Sequence, residues 1–477
     1  MSSKRKYSKK KSKRILKKKT KKFINKRQKF GSKKVKVGGG KSCKDLYRVY
    51  ENELDQVNFG PSDDWPKWYA PLSDNCDKKE DWGTYSVNKK VHFISFRTFQ
   101  YSKWKEIKGL KNVKGIGYEA FQGMKNLVGE ITLGKDLEEI GSEAFMDCKK
   151  LKKINIPDEA KVPIIEKCTF MNCESLENIT IGKTVQVIKD FAFRNCRALT
   201  NITLPDSLEK INKGVFQDCI SLKEINLPNK LTIIPDEAFK NCKSLTVVNF
   251  SNKLEEIKNQ AFYNCESLTE INLPDSVKII GDGAFENCIS VTKIKLSNSL
   301  VTIGKNALGE ESHPPADKRV MLPERTRYCK SLKELIIPGT IKTIPNSFEG
   351  TNLEKVVLGN NIKEIKDKTF MNCKKLKEIT LPEGILSIGH MAFFKCESLE
   401  LKGLPSSLKS IGIQAFDGCT KIQLKASDIP NNITIQVGAF KDCMQFEKDM
   451  DLIMKLREKT RHGFDPFVEA PPGYLRK

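Results

Sequence analysis

Apolar residues recur along most of this chain at one fixed spacing. A representative unit reads Leu222-x-x-Ile225-x-Leu227-Pro228-x-x-Leu231-x-x-Ile234-x-x-x-Ala238-Phe239-x-Asn241-Cys242-x-x-Leu245, and Leu245 opens the next unit 23 residues on. That unit continues through Val248, Phe250, Leu254, Ile257, Ala261, Phe262, Asn264 and Cys265. Its successor supplies Ile271, Leu273, Pro274, Val277, Ile280, Ala284, Phe285, Asn287 and Cys288. The aromatic slot is filled by Phe121, Phe145, Phe170, Phe193, Phe216, Phe239, Phe262 and Phe285. Leu308 replaces it once, and Phe348, Phe370, Phe393, Phe416 and Phe440 complete fourteen units. Several independent positions recur in phase, which marks a repeat architecture rather than a leucine-rich stretch.

The spacing within each unit predicts its elements. Leu-x-x-Ile-x-Leu is a short strand whose Ile and Leu point to one side. Pro205, Pro228, Pro274, Pro338 and Pro382 follow such strands, where a chain must stop pairing and turn. Leu231-x-x-Ile234 is a second extended piece on the opposite side of the coil. Ala-Phe-x-Asn-Cys predicts a tight turn or a single helical turn that inserts its Phe into the interior. One such coil cannot bury its apolar side alone, so coils stack and the core is a continuous ladder. At the usual strand spacing, fourteen coils predict a body roughly 65–70 Å long.

These motifs resemble the BspA-like leucine-rich-repeat family, in its Treponema-type form with 23-residue units, over about residues 110–446. The resemblance implies a right-handed solenoid of short parallel strands and tight, 3-10 or helical turns, with caps at both ends, used for protein or matrix binding. Many members of that family are secreted or displayed on surfaces. Similar repeats also occur in intracellular proteins of protists and large DNA viruses, and a Lys-rich start followed by Gly-Gly-Gly-Lys looks like such viral proteins.

The remaining segments have other textures. Of the 84 basic residues, 19 fall in residues 1–40, which hold no Asp or Glu; the other 437 residues carry 65 basic and 59 acidic side chains. The net charge of +25 therefore belongs mainly to one short tail. Like charges at this density predict a disordered segment, hinged at Gly38-Gly39-Gly40. Its clusters, Lys4-Arg5-Lys6, Lys9-Lys10-Lys11 and Lys17-Lys18-Lys19, fit nuclear import or an arm that neutralises phosphates of a nucleic acid or another polyanion. Leu16, Phe23 and Phe30 recur every seven residues, which also fits a bound helix on an anionic surface. Residues 41–95 contain Trp65, Trp68 and Trp82. They are read as an N-terminal cap ahead of repeats spanning 96–446, the alternative being a separate peptide-binding module. Residues 447–460 predict an amphipathic helix that lays Met450, Ile453, Met454 and Leu456 over the last coil. Residues 461–477 read as an extended tail. The basic start leads into no apolar stretch of signal-peptide type, and no run of about 18 apolar residues exists to cross a membrane.

The candidate chemistry is that of binding. Twelve of the 15 Cys share one repeat slot, including Cys329 beyond an insertion; only Cys43, Cys76 and Cys168 lie outside it. One thiol per coil reads as a buried ladder of reduced cysteines rather than a disulfide framework, which predicts an intracellular setting. Metal-type spacing is missing, and no metal or cofactor is expected. His92, His313, His390 and His462 are scattered, and no nucleotide-binding, zinc-protease or nucleophile-elbow motif is present, so no catalysis is expected. On the outward rows of the first strand, Asn226, Asn249 and Asn272 together with Val247, Ile336 and Val357 are candidate protein contacts. An insertion at about 309–328, with His313-Pro314-Pro315, Lys318-Arg319, Arg325 and Arg327, reads either as a contact loop or as a neutral one. The expectation is a monomeric intracellular scaffold that binds an unidentified protein, its tail serving targeting or polyanion binding. A surface adhesin and a nucleic-acid-associated structural protein are the alternatives.

Overall fold

The computed structural model of the chain describes residues 83–308, 329, 331–443, 450–460 and 465–468. Within them the repeat becomes a parallel β-solenoid. Most coils give a first strand of three to five residues and a second strand of two, and within each of several short sheets these pair in parallel with their equivalents in the neighbouring coils. On the first side Glu224–Asn226 pairs with Val247–Asn249, Glu270–Asn272 with Lys293–Lys295, and Glu334–Ile337 with Lys355–Leu358. On the second side Ile233–Ile234, Glu256–Ile257, Ile279–Ile280 and Thr302–Ile303 form one sheet in that order. The middle residue of most first strands is buried and its neighbours exposed, as alternation demands.

The core is a column of rings. From Phe99 to Phe285 successive phenylalanines stack nearly parallel, with centroids 4.9–5.6 Å apart. A second run joins Phe348 to Phe440 at 5.2–5.5 Å. Leu308 sits buried at the gap between the runs. Burying each ring contributes about 1.5–3 kcal/mol, and offset stacking adds about 0.5–1.5 kcal/mol per pair. Across the insertion the corner continues with one slip: the Leu308 amide donates to the Ser347 carbonyl (3.1 Å) in the repeat register, the Asn306 amide donates to Asn346 (2.6 Å) one residue off it, and the strands on either side belong to separate sheets. Residues 309–328 themselves lie outside the described residues.

The Phe corner is a tight turn with left-handed residues on both sides of the ring. Two positions before it stand Glu119 (φ 54°), Glu143 (φ 59°) and Gln260 (φ 52°); two positions after it stand Asn172, Asn195, Asn241 and Asn264, all with φ of 61–62°. Asn and Asp tolerate this region better than other side chains, which explains their place in the repeat. The turn also brings their amides into a line. Asn172 donates to Asp147 (2.9 Å), Asn195 to Asn172 (2.9 Å), Asn241 to Asp218 (2.7 Å) and Asn264 to Asn241 (2.9 Å). Stacking at one coil per repeat brings the amide of the neighbouring coil within reach, and the side chains bond along the solenoid. At Gly123 (φ 70°) the Tyr101 ring lies over the backbone, and a Cβ would sit 2.2 Å from it.

Both ends of the solenoid differ from expectation. Thr84–Ser86 pairs with Glu106–Lys108 and Phe93–Ile94 with Gly115–Ile116, and Phe99 stacks on Phe121. A full coil therefore precedes Phe121, and the boundary expected at residue 96 falls inside it. Its motif was hidden because Tyr85 and Val87 replace the usual Ile and Leu. Trp104 is buried, with the Tyr85 ring 5.3 Å away; Trp65, Trp68 and Trp82 lie outside the described residues.

At the other end a helix spans Met450–Glu458, but its buried residues are Leu452 and Leu456. Met450 and Met454, expected against the last coil, are 68% and 65% exposed. The helix is turned so that the branched pair four residues apart faces inward. After the helix Thr460 bridges Ile435 in parallel, and the Asp465 and Pro466 carbonyls accept bonds from the amides of Gly438 (3.2 Å) and Phe440 (3.0 Å). Part of the expected tail is thus an incomplete further rung.

Candidate protein-binding face

The parallel stacking turns the first-strand positions into rows. Ile336 and Val357 lie directly opposite each other in adjacent strands, and Thr380 follows Val357 in the next. Ile336 is 60% and Val357 38% exposed, so the pair is an apolar spot on an otherwise polar face. Val247 is also exposed, but it stands opposite Glu224, several coils away from that pair, with Lys293 and Lys295 in between. The six candidate residues therefore do not form one patch. Asn249 donates to Asn226 (2.6 Å) and to Glu224 (3.2 Å), while Asn272 donates to Glu270 within its own strand (3.1 Å). These amides are engaged in pairing along the sheet, the use that cross-strand polar residues commonly serve. Charges on the same face pair across coils as well, as in Lys153–Glu130 (3.2 Å) and Lys355–Glu378 (3.8 Å). Exposed pairs of this kind contribute about 0–1 kcal/mol each, and the face stays polar.

The second-strand side carries apolar exposure that reading the first strand alone missed. Val301 is 60% exposed, and Ile233, Ile279 and Leu386 are exposed too. The signal was available, because these residues occupy outward positions of the Leu-x-x-Ile segment. A further cluster sits at the corner of the first coils. The Phe96 and Tyr118 rings stack at 5.5 Å, and the Arg97 guanidinium lies 4.5 Å over Phe96 while bonding to Glu119. Gln100 donates to Glu119 (2.8 Å) and Gln122 to Glu143 (3.1 Å). Burial pushes the Tyr118 hydroxyl and the Glu143 carboxyl up, and the bond to Glu119 raises Arg97 further. This network satisfies buried polar groups within the corner and gives no open coordination site.

The thiols line a different part of the interior. In twelve coils the Cys Sγ donates to the Phe carbonyl of the preceding coil, at 3.0–3.9 Å. Cys therefore serves as a small apolar filler that also satisfies one corner carbonyl per coil. Burial pushes the thiols up, Cys329 and Cys373 to about 12, so they stay protonated and unreactive. Cys168, outside the repeat slot, is buried as well. Among the described residues the cysteines are free, no group of His, Cys, Asp and Glu could hold a metal ion, and no helix is long and apolar enough to cross a membrane. The basic candidates Lys4, Arg5, Lys6, Lys9, Lys10, Lys11, Lys17, Lys18 and Lys19 lie outside the described residues.

Parallel strands stacked coil on coil, a Phe column and outward polar rows define a leucine-rich-repeat scaffold. The BspA type leucine rich repeat region matches residues 92–223, 209–312 and 323–447, in 6 copies. The chain belongs to that family. Among solved structures it is similar to a leucine-rich repeat protein from Bacteroides ovatus, with 28% identity, a TM-score of 0.51, and 75% of this chain and 87% of that one covered. A leucine rich cell surface protein from Faecalibacterium prausnitzii is 25% identical with a TM-score of 0.39, covering 69% of this chain and 81% of its own. The leucine rich repeat protein of Treponema pallidum is 22% identical with a TM-score of 0.29, over 50% and 78%. No curated protein matches.

Proposed function

We propose that this protein is a non-enzymatic interaction scaffold that holds a protein partner on its first-strand face, while residues 1–40 direct it to the nucleus or dock it on a polyanion. The observation that carries the reading is the exposed pair Ile336 and Val357, set in register on a long polar face, some of whose charges pair across coils. Such a pair loses little on desolvation, and its neighbours supply a polar rim. An intracellular setting is supported by the thiol ladder, which needs protonated, unoxidised cysteines to bond the corner carbonyls. The tail reading rests on its 19 basic residues without an acidic one.

The test is affinity capture with the full chain, with the double variant I336K/V357K, and with a chain lacking residues 1–40. A partner recovered by the full chain and the tail deletion, and reduced about tenfold or more by the double variant, is the expected result. Equal recovery by the double variant, with its circular dichroism unchanged, refutes the face. A fluorescent fusion of residues 1–40 that stays cytosolic, and that binds neither nucleic acid nor heparin at low salt, refutes the tail.

A further inference from the structure

The second-strand side carries one exposed row, formed by the residue that follows the buried Leu, Val or Ile of each coil. Backbone bonds hold this row in register. The Glu255 amide donates to the Thr232 carbonyl (2.8 Å), Lys278 to Glu255 (2.8 Å) and Val301 to Lys278 (2.8 Å). Past the insertion, Lys363 donates to Lys342 (2.7 Å), Leu386 to Lys363 (2.8 Å) and Lys409 to Leu386 (2.9 Å). The Ser347 hydroxyl, donating to the Gly304 carbonyl (2.7 Å), ties the two stretches together. Glu209 takes the same slot behind buried Leu208.

Charge changes sign along the row about an apolar middle. Glu209 and Glu255 lie toward the N-terminal end, Lys342, Lys363 and Lys409 toward the C-terminal end, and Val301, 60% exposed, stands between them. Among the described residues no carboxylate pairs with those three lysines. Glu209 and Glu255 each hold one lysine, Lys230 (2.9 Å) and Lys278 (3.2 Å), and a carboxylate accepts from more than one donor. Counted in coils from Val301, Glu255 and Lys363 both lie two away, Thr232 and Leu386 three, and Glu209 and Lys409 four. Exposed Ile233 and Ile279 stand beside the row. Turned end for end about Val301, the row meets itself with unlike charges opposite each other and apolar groups between them.

We propose that the second-strand side is an interface between two copies of this chain, packed antiparallel about a two-fold axis at Val301. Each Val301 meets the other. Glu255 meets Lys363 of the second copy, Thr232 and Ile233 meet Leu386, and Glu209 meets Lys409, every contact occurring twice. The like-charged meetings fall on residues already paired: Lys278, opposite Lys342, holds Glu255, and Glu364, opposite Glu256, holds Lys366 (2.8 Å). A foreign partner requires no such symmetry within the row, whereas a self-contact does. The apolar groups supply the burial, and the charges fix the direction, because a parallel copy sets lysine on lysine. The first-strand face stays open to a partner, and the single copy expected from the sequence becomes a pair.

Sedimentation velocity on the full chain tests this, with circular dichroism to confirm that each variant folds. The average mass should rise toward that of two chains, and no further, between ~1 and ~100 µM. V301K, a change at an exposed side chain, should raise the dissociation constant about tenfold or more. E255K and K363E should each weaken association about tenfold, because like charges then meet at two places, and the double variant E255K/K363E should return it to within about threefold of the original. A full chain that stays single at ~100 µM overturns the proposal, and capture of another protein lost on V301K then assigns the side to a foreign partner. Association that V301K leaves unchanged overturns it too, as does a double variant no tighter than its parents. If V301K fails to fold, the charge exchange decides alone.

Discussion

Raising the pH should unfold this solenoid cooperatively between about pH 9 and 10, through its thiols. Ten cysteines are fully buried and pushed upward by that burial: Cys148, Cys173, Cys196, Cys219, Cys242, Cys265, Cys288, Cys329, Cys373 and Cys396. An unfolded thiol ionises near about 8.5, whereas Cys329 and Cys373 do so only at about 12 in the fold. The folded form thus holds protons that the unfolded form gives up. The stability this represents is complete below about pH 8.5 and is lost as the pH rises from there toward the folded values. Each thiol forfeits about 1.4 kcal/mol per pH unit in that window, so ten acting together forfeit on the order of 10 kcal/mol by about pH 9.5. That equals the whole stability of a typical domain. Circular dichroism under reducing conditions should therefore show a steep loss of β signal between about pH 9 and 10. Replacing Cys219, Cys242 and Cys265 by Ala should shift the midpoint upward even though each change removes a packing group. A signal unchanged to about pH 10.5, or a midpoint that the triple variant leaves in place, would show that the thiols are not linked to folding in this way.

Two further changes probe the ladder itself. Phe239→Ala deletes a fully buried ring stacked on Phe216 and Phe262 and should cost about 3–5 kcal/mol in urea unfolding, while Phe239→Leu, the residue found at 308, should cost under about 2 kcal/mol; equal losses would deny the ring column its role. Asn264→Ala places an ordinary side chain at φ 61° and breaks the amide line, for a loss of about 1–3 kcal/mol. Asn264→Gly relieves the backbone but not the lost bonds, so it should fall between wild type and Ala, and a Gly variant worse than Ala would refute the left-handed requirement.

The period and the identity of its apolar slots were enough to define coil, strand sides and buried column. Each slot repeats about a dozen times, so local ambiguity averages out, and stacking like on like leaves one consistent register. The same logic placed the cysteines inside, because a small residue at a fixed interior slot has no other neighbour than its equivalents. Tertiary structure decided what depends on coil-to-coil geometry. It set the Asn amides bonding across coils and brought Ile336 and Val357 together while leaving Val247 apart. It also decided both ends. There the repeat loses its copies: Tyr85 and Val87 hide a first coil, and Leu452 and Leu456 rather than Met450 and Met454 turn inward. A segment with no repeat motif, Asp465-Pro466-Phe467, fits the last rung because the unmet amides above it need carbonyls. A sequence pattern reports what recurs, whereas the contacts of a segment without a repeat motif exist only once the coils are stacked.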